Sequence, residues 1–364
     1  MKKVLHIIDS WGLGGAQAIV RGIFEAQKLN KDIYLYILRK RKINFKINHS
    51  NVKLFNSEAR YSFRPINELR KLIEGKNIEV LHCHLFRSQV FGYILKKRYF
   101  SKIKLIFHEH GEVFQNHKVY NYFMKQSQKE VDKIIAVSKS TKQELINKAN
   151  INPKKIIILY NFVDLKKFNK KNIKRNIKKD KKKMGIKEND FVIGFAGRLA
   201  GVKGCKYLIK ALPNLDFSYK CVIAGDGPLK EDLIKLSRKL EVYDKVIFLG
   251  YQSDILKFYS LIDVLVMPSL SESFGLSIVE AQASSIPVIA SNISGINEII
   301  QNKKNGLLFE ARNSNDLAKK IETIYSKKSL GEMLIKEGLT NAKKYPLNKY
   351  LAGLNNIYND IYHD

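Results

Sequence analysis

The chain has 364 residues, 45% of them hydrophobic, and carries 65 Lys and Arg against 34 Asp and Glu, a formal net charge of +31. That length suffices for two α/β domains with separate cores, and the absence of an 18-residue apolar run excludes a transmembrane helix. Three widely spaced cysteines, Cys83, Cys205 and Cys221, exclude a disulfide framework and point to a reducing cytoplasm.

Met1–Asp9 is too short and too soon polar for a signal peptide and reads as a first strand. The strand Val4–Ile8 runs into Asp9-Ser-Trp-Gly-Leu-Gly-Gly-Ala-Gln17, followed by a helical run from Ala18 to about Leu29. A dinucleotide site would need a glycine where Gln17 stands and an acidic residue closing the next strand, Ile33–Leu38; both are missing. Gly14 and Gly15 are then either a tight turn or a close backbone approach to a ligand.

Alternation continues with strand Val52–Phe55, helix Ile66–Glu74, strand Val80–His84, helix Ser88–Lys97, strand Lys104–His108 and a helix around Tyr120–Gln128. Strand Lys133–Val137, helix Ser140–Ala149 and strand Ile156–Tyr160 complete a first domain. Strands separated by helix-length segments predict a parallel, doubly wound sheet, which binds ligands at the carboxyl ends of its strands. Two of those ends carry His82-Cys-His84 and His108-Glu-His110-Gly111. Alternate residues of a strand share a face, so a metal site is one reading. It is set aside because nothing downstream supplies a carboxylate or cysteine partner, and the expectation is no metal and no cofactor.

The lysine-dense stretch Lys166–Lys187 marks a solvated boundary. Beyond it, strand Phe191–Ala196 ends in Gly197-Arg198, with Lys203-Gly204 five residues on at a helix start. Two cations beside a helix N-terminus are what a leaving diphosphate needs. Strand Tyr219–Ala224 leads to Gly225-Asp-Gly-Pro228, with Pro228 expected to open the next helix. Helix Leu229–Leu240, strand Val246–Leu249, a helix ending near Ser260 and strand Val264–Met267 follow.

That last strand enters Pro268-Ser-Leu-Ser-Glu-Ser-Phe-Gly-Leu-Ser-Ile-Val-Glu280, a polar turn running into a helix. Backbone N–H groups at Phe274-Gly275-Leu276 suit a phosphate, and Glu272 and Glu280 suit hydroxyl groups. Strand Pro287–Ala290 precedes Ser294-Gly295 and Glu298; helices fill Asn315–Lys344, Tyr345-Pro346 breaks the pattern, and a last helix runs toward Tyr362.

The stretch from Glu272 through Ser273, Phe274, Gly275 and Leu276 to Glu280 resembles the E-x7-E signature of the retaining glycosyltransferases of family 4 (glycosyl transferases group 1). Gly197-Arg198-x4-Lys203-Gly204 resembles that family's donor-phosphate clamp. Gly14-Gly15, Gly225-x-Gly-Pro and Tyr160-Asn-Phe-Val-Asp164 resemble further elements, with Phe162 standing where the family has glycine. His110-Gly111 is similar to its His-Gly element, whose histidine contacts the donor sugar; His108 competes for the role, and His84 resembles a histidine at the preceding strand end.

The resemblance implies the GT-B fold, two Rossmann-like α/β domains facing a cleft. They would span 1–165 with a returning C-terminal helix 347–364, a basic linker 166–189, and a nucleotide-sugar domain 190–346. It implies transfer of a sugar from a nucleoside diphosphate, UDP ahead of GDP, to a hydroxyl of a lipid-linked glycan in surface polysaccharide synthesis. Arg198 and Lys203 would stabilise the leaving diphosphate without a metal, since no Asp-x-Asp occurs; Glu280 would accept from ribose and Glu272 from the sugar. A sugar-nucleotide epimerase and a catalytically silent scaffold are the rivals.

The excess charge is then read first as attraction to an anionic membrane surface at the inner face of the plasma membrane, with Lys96, Lys97, Arg98, Lys102 and Lys104 as the contacting cluster. Specific nucleic-acid binding ranks below it, because the cations are not interleaved with aromatics in a recognised module. Compositional drift in an Ile- and Asn-rich chain is the third reading.

Overall fold

A computed structural model describes residues 2–12, 14–39, 49–55, 62–111, 118–169, 172 and 177–362. The chain divides into two compact units, Met1–Asn161 with Asn348–Asp364, and Phe162–Leu347.

The first unit is a seven-stranded sheet: β1 (Val4–Ile8), β2 (Ile33–Ile37), β3 (Val52–Leu54), β4 (Val80–His84), β5 (Lys104–Glu109), β6 (Lys133–Ala136) and β7 (Ile156–Ile158). Their order is β3-β2-β1-β4-β5-β6-β7, every pairing parallel. β1, β2 and β4 are buried along their whole length, which is why they read as continuous apolar runs rather than alternating ones. Helices α1 (Gly15–Ala26), α2 (Pro65–Lys76), α3 (Phe86–Arg98), α4 (Lys118–Ser127) and α5 (Lys139–Ala149) supply the crossovers. α2 starts on Pro65, whose fixed φ and missing N–H suit a first helical position, and stops at Asn77 in the left-handed conformation. The last helix, Leu347–Asp360, belongs to this unit and buries Tyr350, Leu354, Ile357 and Tyr358.

The second unit repeats the plan with six parallel strands: β8 (Phe191–Ala196), β9 (Tyr219–Ala224), β10 (Val246–Gly250), β11 (Val264–Met267), β12 (Val288–Ser291) and β13 (Leu307–Phe309). They lie in the order β10-β9-β8-β11-β12-β13 around a core that includes Ile193, Phe195, Leu208, Val264, Val266, Ile289 and Leu317. These are two Rossmann-like parallel-sheet domains, the architecture of GT-B proteins.

The helices expected over 315–344 are Ser314–Ser326 and Lys328–Ala342, broken at Lys327. Several local expectations change. Pro228 does not open its helix, which starts at Lys230 after Leu229. Of the basic stretch, 170–171 and 173–176 lie outside the described residues. Its flanks are not uniformly solvated: Phe168 is buried edge-on to Tyr259 at 5.9 Å, and Ile177–Lys183 is a helix. Phe162 is buried and keeps a negative φ, so the turn there never needed the glycine conformation. The cationic cluster offered to a membrane is also reduced. Lys96 is 9% exposed and pairs with Asp132 at 2.6 Å, and Lys104 reaches the same carboxylate at 3.5 Å.

Candidate functional site

In each sheet the strand order reverses once, between β1 and β4 and between β8 and β11. Loops leaving such neighbours diverge to opposite faces and open a crevice at the strands' carboxyl ends. Most of the residues singled out in the sequence stand at these two places, with His108 and His110 at the end of the neighbouring β5 and Gly225 at the end of the neighbouring β9.

In the second unit the loop after β8 carries Gly197, Arg198 and Lys203, and the loop after β11 carries Glu272 to Gly275. Lys203 Nζ lies 2.6 Å from Glu272 Oε2, so the cation expected at the phosphate and the carboxylate expected at the sugar are already joined. Ser269 Oγ is a weaker donor to the same oxygen at 3.4 Å. The two loops touch through backbone: Leu270 N donates to Val202 O at 2.7 Å. A Cβ on Gly204, which has φ +62°, would stand 1.9 Å from Pro268 O. Gly295 brings a third loop equally close, its position for a Cβ being 1.7 Å from Glu272 O. No other residue type fits at these contacts without moving a backbone.

Arg198 is exposed and forms no ion pair among the described residues. Gly225 packs against the preceding Gly197, close enough that a Cβ would meet Gly197 O at 1.9 Å. Ser273 and Phe274 are buried, Phe274 edge-on to Tyr345 at 5.3 Å. Gly275, with φ 74° and ψ 58°, turns the chain into helix Leu276–Ala283. Ser277 Oγ donates to Ala196 O at 3.3 Å and ties that helix start to the end of β8. Glu280 is held from behind: the buried Tyr259 hydroxyl donates to its Oε2 at 2.8 Å. Two cations and a helix start suit an anion, and two oriented carboxylates suit hydroxyl groups. A separate hollow of about 500 Å³ beside Tyr207, Glu310 and Arg312 contains none of these residues.

In the first unit Gly14 and Gly15 are exposed at the start of α1. Gln17, the residue that spoils a dinucleotide pattern, instead donates to Ser10 O at 3.2 Å and braces the loop. Asp9, just past β1, accepts from Arg39 at 2.7 Å and from Arg87 at 3.2 Å.

The strand-end histidines form a network. His84 pairs with His110 at 2.9 Å and with His6 at 2.9 Å, and His82 pairs with His108 at 3.1 Å. The register explains it: β1 to β4 aligns His6 with His82, and β4 to β5 aligns His84 with His108. Burial pushes the His6 and His110 imidazoles down to about 3 and His82, His84 and His108 well below their ordinary value. All five are neutral rings at neutral pH. His108 is fully buried, whereas His110 is only partly so. Glu109, between them on the opposite face of β5, is buried against Gln89 at 2.5 Å, and burial pushes its carboxyl up to about 7.

The metal reading sought a carboxylate or cysteine downstream; the further ligand-type group that the fold supplies is instead a histidine upstream, His6. His6, His82 and His84 form one group with nitrogens within 4.8 Å of one another, and His84, His108 and His110 form another. Sequence reasoning missed His6, Tyr259 and the Asp9–Arg39–Arg87 cluster. Only His6 left a signal, being in phase with the alternation in β4 and β5.

Two family models match in succession, Glycosyltransferase Family 4 over residues 30–167 and Glycosyl transferases group 1 over residues 176–340. The uncharacterized glycosyltransferase MJ1178 of Methanocaldococcus jannaschii is 30% identical over 327 residues, 86% of each chain. The chain belongs to the group 1 glycosyltransferases. Another relative of this glycosyltransferase is 26% identical over 363 residues, 95% of this chain and 96% of its own length. It is the N-acetylgalactosamine-N,N'-diacetylbacillosaminyl-diphospho-undecaprenol 4-alpha-N-acetylgalactosaminyltransferase of Campylobacter jejuni. Among solved structures, Anabaena Alr3699/HepE in complex with UDP-glucose superposes with a TM-score of 0.86 at 19% identity, over 99% of this chain and 100% of that one. This likeness shows the shared fold.

Proposed function

We propose that this glycosyltransferase moves a sugar, with retention at the anomeric carbon, from a UDP-sugar to a hydroxyl of a lipid-linked glycan in surface polysaccharide synthesis. One observation carries the reading: Lys203 and Glu272, on loops from two different strands, meet at 2.6 Å at the β8/β11 reversal. Departure of the nucleoside diphosphate builds negative charge, and Arg198, Lys203 and the amides near Phe274–Leu276 stabilise it in the transition state without a metal. Glu280, oriented by Tyr259, accepts from the ribose hydroxyls. Glu272, released from Lys203 when phosphate arrives, accepts from the sugar, and His110 is the histidine that contacts a sugar. Gly14, Gly15, Gly197 and Gly225 allow backbone to approach the donor.

The choice of UDP and of acceptor is supported by relatives: HepE was crystallised with UDP-glucose, and the Campylobacter enzyme's name specifies a diphospho-undecaprenol acceptor. No helix among the described residues is long and apolar enough to cross a membrane. A lipid-linked acceptor is then met at a membrane surface, with a +31 chain drawn to anionic headgroups. A thermal-shift screen against UDP-, GDP- and ADP-sugars, followed by transfer assays with the stabilising donor, tests the reading. Stabilisation by a UDP-sugar is expected; isomerisation of the donor without acceptor would make the chain an epimerase instead.

A further inference from the structure

The histidine pairs are parts of one longer chain, and the connecting group comes from the last helix. Tyr358 OH lies 2.6 Å from His82 Nδ1 and 3.2 Å from His6 Nε2. The order is His110, His84, His6, Tyr358, His82, His108, six groups, all but the partly buried His110 fully buried, joined by five hydrogen bonds. Two nitrogens at the ends have no partner among the described residues, His110 Nδ1 and His108 Nε2. Their rings are stacked, with centroids 4.0 Å apart and planes inclined by 22°. The chain therefore doubles back, and its open ends are carried by neighbouring rings.

Proton counting restricts the chain sharply. A neutral imidazole has one N–H and one bare nitrogen, and a neutral phenol has one O–H. Burial disfavours every charged form here, including the Tyr358 phenolate. Each of the five links needs one proton. If His110 donates from Nε2, then His84, His6, Tyr358 and His82 must each donate onward in the same sense, and His108 is left with N–H at Nε2. If His110 instead keeps its proton at Nδ1, every link reverses and His108 Nε2 is bare. The one other neutral arrangement that fills all five links has Tyr358 accept from both His6 and His82, which turns its own buried O–H out of the chain without a partner and is disfavoured for that reason. One open end is thus a donor whenever the other is an acceptor.

We propose that these six groups form a neutral proton relay in which Tyr358 is the positioning residue that joins two histidine strings, so that the tautomers of His110 and His108 switch together. A proton accepted at His110 Nδ1 shifts the proton in each of the five links across that link, and the sixth leaves from His108 Nε2. Protons balance and no imidazolium forms. The paired ends, one donating and one accepting, complement a single hydroxyl group of a sugar or of a water molecule. The role in transfer rests on His110 facing the donor sugar, whereas the relay itself does not.

Nitrogen-15 NMR of histidine-labelled protein tests this directly, because bare and protonated ring nitrogens have well-separated shifts. In the wild-type chain, one of His110 Nδ1 and His108 Nε2 carries hydrogen and the other is bare. Tyr358→Phe removes only the linking hydroxyl. His6 Nε2 and His82 Nδ1 then lose their partner, and a buried unpaired N–H is disfavoured more than a bare nitrogen. Both strings turn outward, so both end nitrogens become N–H. Two protonated or two bare ends in the wild type overturn the proposal, as does a Tyr358→Phe spectrum with unchanged tautomers. Zinc or another transition metal retained at one per chain, with ring nitrogens shifted on its removal, also overturns it in favour of a metal site. Should the variant not fold, the wild-type spectrum still decides. Adding UDP-glucose and then free glucose separates a sugar hydroxyl from water as the group across the ends: a shift at both end nitrogens assigns the sugar, and none assigns water. These spectra need no turnover, so a failed transfer assay sinks the transferase reading and leaves the relay standing.

Discussion

The two units share one architecture, yet the same place in each sheet is built from opposite electrostatics. At the β1/β4 reversal the strand ends hold buried imidazoles, neutral through desolvation and satisfied by one another. At the β8/β11 reversal they hold a partly buried ammonium–carboxylate pair and an exposed guanidinium. A neutral network can trade hydrogen bonds with hydroxyl groups without paying for separated charge, whereas a cationic one can take up an anion. The fold supplies two crevices, and side chains decide which kind of ligand group each receives.

Acid should separate the halves most strongly. The first unit's histidines have folded-state pKa values below their unfolded value near 6.5, to about 3 for His6 and His110. Their stabilisation is present above pH 6.5 and is lost as pH falls toward the folded values. Each costs roughly 1.4 kcal/mol per pH unit in that window. Glu109, raised to about 7, opposes one of the five between pH 7 and about 4.5, because the folded state takes up its proton first. Melting followed from pH 7 to 5 should show the first unit's transition falling steeply while the second's moves little. Parallel shifts would erase the contrast.

Lys203→Ala should come next, lowering kcat/KM by about 10²–10³, the effect of losing one preorganised electrostatic contact. The fold should persist, since the residue is partly exposed. Unchanged turnover at sub-saturating donor would remove Lys203 from the chemistry.

The two glutamates sharpen the picture within the second unit. Glu280→Ala should weaken UDP and UDP-sugar alike, each by about 1–3 kcal/mol. Glu272→Ala should weaken the sugar nucleotide far more than UDP, because it also frees Lys203 for phosphate. Calorimetry with both ligands decides, and equal losses for both variants would collapse the assignment. The smallest expected effect is that of excess EDTA, which should leave transfer intact; loss restored by Mn²⁺ or Zn²⁺ would move the chemistry to the histidines.

Much of this is legible in the sequence. Strands buried on both faces are apolar runs, and the spacers between them have helical length, so the doubly wound pattern shows through. Glycine turns at strand ends mark where ligands approach. What could not be read was partnership across distance. Nothing local joins Lys203 to Glu272, or Tyr259 to Glu280. Alternation put His82 with His84 and His108 with His110, but strand register aligned the pairs and a residue 276 positions away from His82 connected them. Lys96 misled for the same reason. In a run of cations it looks solvated, and only the fold reveals Asp132 against it.

Tyr358 also bears on the order in which the protein is finished. The first unit is synthesised first but lacks Asn348–Asp364 until the whole second unit has emerged. At 5–20 residues per second that delay is roughly 10–40 s. Throughout it, His6 and His82, whose ring centroids lie 4.7 Å apart in the finished fold, lack the phenol that joins them. The network's last two hydrogen bonds close only when the helix Leu347–Asp360 docks.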